Sequence, residues 1–165
     1  MSLLDQILST PSGAIFGEGG LDSPYRYVLW RRWGTGKAFA HLCGLNPSVA
    51  DHILNDNTIS REIAFGKSWG MDGLIKTNAF GYRATDPKEM KRATDPIGPE
   101  NDLWIYEASK ITPFNVACWG VHGEFMGRGE DLKSRYRWKC FGVTKAGFPK
   151  HPLYLRKDTP LIDYP

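Results

Sequence analysis

The chain has 165 residues, 41% hydrophobic and 24% charged, ordinary proportions for one globular unit that exclude wholesale disorder. Its net charge of +3 permits nucleic-acid binding without demanding it. No apolar run reaches the roughly 20 residues of a membrane span, and residues 1–8 lack the basic and apolar regions of a signal peptide, so the expectation is a soluble cytoplasmic protein of a bacterium or a phage-infected cell.

Residues 1–24, rich in Gly, Ser and Pro from residue 9 onward, read as an irregular N-terminal segment. One α/β domain is expected over 25–165. Tyr25-Arg26-Tyr27-Val28-Leu29-Trp30 alternates as an edge strand does, and Ala38-Phe39-Ala40-His41-Leu42-Cys43 reads as a second strand. The pair looks like a β-hairpin. Asp56, Asn57 or Thr58 can cap a helix that turns Ile59, Ile63, Phe65 or Gly66, and Trp69 inward. The mostly apolar run 74–80 reads as a buried parallel strand. A helix is expected over 98–110, a strand over 114–119, a short helix over 130–137 and a last core strand over 139–144.

Strands alternating with helices imply three layers, a mainly parallel sheet with helices on both faces. Ligands then bind outside the carboxyl ends of the strands. Four segments fall on that rim: 46–48, 78–83, 119–122 and 145–155.

Cys43, Cys118 and Cys140 each sit in an apolar run without paired spacing, which reads as buried thiols rather than a metal site. No cofactor motif occurs: the P-loop, GxGxxG, HExxH and GxSxG patterns are all missing. In Gly44-Leu45-Asn46-Pro47-Ser48 the proline holds Asn46 extended, which pre-aims an amide able to hold water or a substrate carbonyl. An ordinary Asn-Pro turn is the alternative. Lys150-His151-Pro152-Leu153-Tyr154-Leu155 offers an imidazole that can donate to developing negative charge, then an apolar wedge in Leu153 or Tyr154. A packed C-terminal loop would look the same. His41 reads as structural, while His122 follows a strand end.

The Asn78 amide carries the donor and acceptor that a pyrimidine edge requires, and Arg83 lies just beyond it. Asp51 or Asp56 could act as a base. Basic residues that include Arg135, Lys139, Lys145 and Lys150 are interleaved with aromatics such as Trp33, Tyr136 and Trp138, as on a phosphate-tracking face or a solvated surface.

The pieces Leu45-Asn46-Pro47-Ser48-Val49-Ala50-Asp51, Arg83-Ala84-Thr85-Asp86-Pro87, Asp95-Pro96-Ile97-Gly98-Pro99-Glu100-Asn101-Asp102 and His151-Pro152-Leu153-Tyr154-Leu155 resemble an uncharacterised family of bacterial and phage proteins, a domain of unknown function. More distantly, the skeleton is similar to the mismatch-specific branch of the uracil-DNA glycosylase superfamily. The Gly44–Pro47 turn, Thr77-Asn78 running into Arg83, and His151-Pro152 before Leu153 carry that similarity. The resemblance implies a uracil-DNA-glycosylase-like fold and an enzyme acting on a flipped, modified pyrimidine in duplex or single-stranded DNA, without a cofactor. In this reading Asn46 holds the attacking water, with Asp51 nearby as a candidate base. Asn78 reads the base, His151 stabilises its oxyanion, and Leu153 or Tyr154 fills the gap left by flipping. Ser48 stands where that branch has glycine and would contact the substrate. The stacking partner would be Phe65 or Trp69. N-glycosidic hydrolysis is the expected reaction; a transferase of DNA base hypermodification and a non-catalytic binder of modified or single-stranded DNA are the alternatives.

Overall fold

The computed structural model describes residues 1–49 and 53–165. Its strands are β1 (Ser12–Phe16), β2 (Arg26–Arg32), β3 (Phe39–Gly44), β4 (Gly73–Asn78), β5 (Asn115–Ala117), β6 (Trp138–Cys140) and β7 (Ile162–Asp163). The helices are α1 (Leu3–Ser9), α2 (Asn57–Ser68), α3 (Pro87–Arg92), α4 (Asn101–Lys110) and α5 (Arg128–Arg135). All strands join one sheet in the order β1-β2-β4-β3-β5-β6-β7.

The central block β4-β3-β5-β6 is parallel, while β1, β2 and β7 add antiparallel edges. The sheet is therefore mixed, with the expected parallel character confined to its core. The expected hairpin of β2 with β3 does not form. β4 lies between them, antiparallel to β2 and parallel to β3. A strand buried on both faces gains more by taking neighbours on both sides, and β4 does so with six buried residues. Nor is the N-terminal stretch irregular: Ser2 closes a capping box on α1, and β1 pairs with β2.

The helix before β4 is stopped by Gly70, whose φ of 74° is the left-handed conformation that favours glycine. Its start is fixed by Asp56, whose carboxylate accepts from the Ile59 N–H at 2.8 Å. The connection β3→α2→β4 runs across the sheet in one direction and β5→α5→β6 in the other. Right-handed crossovers then put α2 and α5 on opposite faces. On one face Ile59 and Phe65 of α2 pack with Leu42, Leu74, Val116 and Cys118. On the other, Ile105 of α4 and Leu132 of α5 pack with Cys43, Phe80, Ala117 and Trp119.

This reversal makes the carboxyl ends of β3 and β5 a topological switch point, where adjacent strands send their chains apart and leave a crevice. The Cys118 N–H still donates to the Cys43 carbonyl at 2.9 Å, so the crevice opens just beyond. All three cysteines are free and buried, and burial pushes the Cys43 thiol up to about 11.

Candidate functional site

A cleft of ≈ 420 Å³ occupies the switch point, within the roughly 300–1,000 Å³ of small-molecule sites. Its floor comes from β3 and β4. These strands run in register with Leu42 opposite Lys76 and Gly44 opposite Asn78, so by alternation Lys76 and Asn78 both face α2. Gly44 leaves room between them. A Cβ there would lie 2.8 Å from the Lys76 Nζ and 2.9 Å from the Asn78 Oδ1.

Asn78 is 4% exposed and lines the cleft. Its backbone carbonyl accepts from the Asn101 side chain at 3.0 Å, while its own side-chain amide has no partner among the described residues. An amide with unspent donors and an unspent acceptor at the floor of a cleft is a group a ligand can satisfy.

Lys76 meets Glu62 of α2 in a buried ion pair. Burial drives the Glu62 carboxyl up, and the same carboxylate holds Lys76 as the ammonium against its own desolvation. The Glu62 Oε2 has no hydrogen-bond partner among the described residues. Arg26 of β2 lines the same cleft and is 7% exposed. It gets there through a bulge: Ile15 faces Val28 but Phe16 faces Arg26, leaving Tyr27 as an extra residue. Simple alternation would send Arg26 with Val28 and Trp30 into the opposite cluster, beside Phe39 and Ile75. The bulge re-aims it.

The rim is built by loops. Asn46 donates through Nδ2 to the Ala84 carbonyl at 2.8 Å and the Pro47 carbonyl at 3.2 Å. The Ala84 N–H returns a bond to the Pro47 carbonyl at 2.9 Å. Both amide hydrogens are thereby spent, and the Asn46 Oδ1 remains as an acceptor. His151 accepts the Leu153 N–H at Nδ1, 3.1 Å. Its ring proton therefore sits on Nε2. Desolvation against the cleft, then the Lys76 charge, lowers its pKa and keeps the ring neutral, although the residue as a whole is exposed. His122 also lines the cleft, with Nδ1 3.1 Å from the Lys91 Nζ.

Asn46, Ser48, Asn78 and His151 thus converge on one cleft with Asp56. Asp51 falls outside the described residues. Phe65 is not at the site: it is 2% exposed and packs against Trp69 and Phe141 in the core. The helical periodicity that makes it a core residue also turns it away from the rim, and Trp69 goes with it. Arg83 does not line the cleft either, because its guanidinium bonds the Leu21 and Ser23 carbonyls and ties down the N-terminal segment. Leu153 and Tyr154 line a separate shallow surface groove with Asn57, Ser60, Arg61 and Ala64. Tyr154 is 95% exposed with a φ of 70°. Among the basic residues, Arg135 is shared between Asp102 and Asp131, and Lys139 pairs with Asp163. Lys145 and Lys150 are exposed, without an ion-pair partner among the described residues.

Sequence reading missed Arg26, Glu62 and Lys76. A charged residue inside the otherwise apolar Leu74-Ile75-Lys76 run was the available signal, since lysine is almost never fully buried without a partner. His41 is structural, as expected: its Nδ1 donates to the Asn115 Oδ1 and its Nε2 accepts from the Thr77 hydroxyl, both at 2.8 Å.

The geometry defines an α/β protein with a part-cationic cleft at the switch point of a parallel core. No described helix is long and apolar enough to cross a membrane. The chain belongs to the DUF1643 family, described as a protein of unknown function, whose model matches residues 26–153. No curated protein and no solved structure matches it.

Proposed function

We propose that the protein is a nucleobase-recognising enzyme that takes a flipped, modified pyrimidine of DNA into this cleft and hydrolyses its N-glycosidic bond. A uracil-DNA-glycosylase-like fold is part of the proposal. The observation that carries it is the Asn78 amide on the cleft floor beside Gly44, without a side-chain partner among the described residues. The glycine lets the Asn78 amide and the Lys76 ammonium stand close against the strand at the cleft floor, and the amide offers the donor–acceptor pair that reads a pyrimidine's hydrogen-bonding edge.

Two further features support the chemistry. A neutral His151 with its proton on Nε2 is a preformed donor for the charge that builds on a departing base, and it needs no reorganisation when that charge appears. The Asn46 Oδ1, held by the two bonds of its Nδ2, can accept from a water and orient it. The reaction forms the bond from water oxygen to the sugar's anomeric carbon and breaks the bond to the base nitrogen. The electron pair leaves on the base. One water proton is released to solvent or a nearby carboxylate, and the base is later reprotonated.

The test is incubation of the protein with DNA bearing uracil, 5-hydroxymethyluracil or other modified pyrimidines, followed by mass spectrometry of nucleosides and free bases. Release of a free base with an abasic product is expected. A mass gain on the base would replace hydrolysis by transfer. Tight binding with unchanged DNA would reduce the protein to a reader of modified DNA.

A further inference from the structure

The Arg26 guanidinium is a buried charge with no ion-pair partner among the described residues. The residue is more than nine-tenths buried and lines the cleft, yet no side-chain hydrogen bond or ion pair to it exists among the described residues. Two neighbouring arginines add to the cost. Arg83 and Arg31 both oppose its protonated form, and only Asp56 favours it. Desolvation is the largest effect, and together they bring its pKa down to about 10, so it remains a cation at neutral pH.

The neighbouring groups are already committed. Asp56 is exposed and caps α2 through the Ile59 N–H. Glu62 faces Lys76. Arg83 is occupied by two backbone carbonyls, and Arg31 bonds Asn55 and the Trp30 and Ile53 carbonyls. A buried, unneutralised guanidinium is expensive, and the β2 bulge spends local regularity to hold it here. An arginine presents a planar fork that matches a carboxylate or phosphate with two parallel hydrogen bonds.

We propose that Arg26 forms an oxyanion subsite inside the cleft, which takes a carboxylate or phosphate oxygen carried by the bound ligand itself. The group is not a phosphate of the DNA backbone, which would track the exposed Lys145 and Lys150. It is an acidic substituent on the part of the ligand that enters the cleft, or the phosphate of a free nucleotide. The inference goes beyond the base-excision reading and does not depend on it, because binding of a simple anion requires no DNA.

The experiment is a thermal-unfolding titration of the full chain with orthophosphate, with acetate, with 2′-deoxyuridine and with 2′-deoxyuridine 5′-monophosphate, ionic strength being held constant with chloride. In the wild type, Tm should rise with the logarithm of orthophosphate or acetate concentration, as for any ligand that binds only the folded state. Arg26→Gln should abolish that rise, while Lys145→Gln retains it. A larger rise with the monophosphate than with deoxyuridine assigns the anion to a free nucleotide. Equal rises with those two, beside a response to acetate, assign it to a substituent on the base. A second measurement uses the wild type alone: the Arg26 Nε–H resonance should move on addition of orthophosphate, with those of Arg31 and Arg83 unmoved. A wild type that responds to no anion, a full response in Arg26→Gln, or an unmoved Arg26 resonance would overturn the subsite. Loss of base release with the Arg26-dependent response intact would sink only the excision reading.

Discussion

Gly44 and Asn78 face one another across the β3–β4 register, with the Asn78 Oδ1 2.9 Å from where a Cβ on Gly44 would stand. The floor of the cleft exists because residue 44 has no side chain. Both nearest atoms are the ends of side chains, so Gly44→Ala should fold, with a stability change of about 1–3 kcal/mol typical of overpacking. Its cost should fall on function. The methyl displaces the Asn78 amide and the Lys76 ammonium, so base release should drop far more than the denaturation midpoint. Unchanged base release in Gly44→Ala would show that ligands bind elsewhere.

Asn46 and His151 should separate from the surface lysines in kinetics. Asn46→Ala and His151→Ala should each lower the single-turnover rate by roughly the 10²–10³-fold of one lost preorganised hydrogen-bonding group, with DNA affinity nearly unchanged. Replacing Lys145 and Lys150 together should do the reverse, lowering affinity and reducing the slope of log K against log salt by about 2. Arg135 and Lys139 should contribute less, since Asp102, Asp131 and Asp163 already hold them. Equal rates in Asn46→Ala, His151→Ala and wild type would remove both residues from the chemistry.

The Glu62–Lys76 pair should be costly to break and cheap to remove whole. Lys76→Met strands a buried carboxylate and should destabilise the fold by about 3–5 kcal/mol. The double variant Glu62→Leu/Lys76→Met should recover most of that loss. A denaturant-based double-mutant cycle reads the coupling directly. Additive effects would mean that the two side chains are not paired in solution.

His41 should make the fold sensitive to mild acid. Desolvation, opposed by its bond to Asn115, lowers its pKa from 6.5 to about 4 in the folded chain. The unfolded chain therefore takes up the proton first as pH falls. Stability is full above pH 6.5 and declines towards pH 4 at up to about 1.4 kcal/mol per pH unit. Unfolding free energies across that window should show the slope, and His41→Gln should flatten it. An unchanged slope in the variant would assign the acid sensitivity to other groups, with His151 the next candidate.

Much of this protein was legible from local pattern alone. The cap at Asp56, the stop at Gly70, the buried strand before Asn78 and the three buried thiols all follow from rules that act within one or two turns of chain. The Asn46 and His151 motifs were legible for the same reason: a proline fixes the backbone beside each, so their aim is set locally. What local pattern could not decide was which strands are neighbours. A run such as 25–32 looks the same beside β3 or beside β4, and the choice was made by the burial of β4 between two partners.

The site divides along the same line. Asn46, Asn78 and His151 declared themselves because they stand at strand ends and turns, where the chain order brings a parallel sheet's carboxyl edge together. Phe65 and Arg83 were misassigned because their types suit a binding cleft, while helix phase and a backbone tether hold them away from it. Arg26, Glu62 and Lys76 lie 50, 14 or 36 residues apart in sequence, and only the bulge in β2, the phase of α2 and the β3–β4 register bring them to the cleft. Sequence determined the elements and the turns that bear polar groups. Tertiary structure decided which charges are buried together, because desolvation and pairing depend on neighbours that no local window contains.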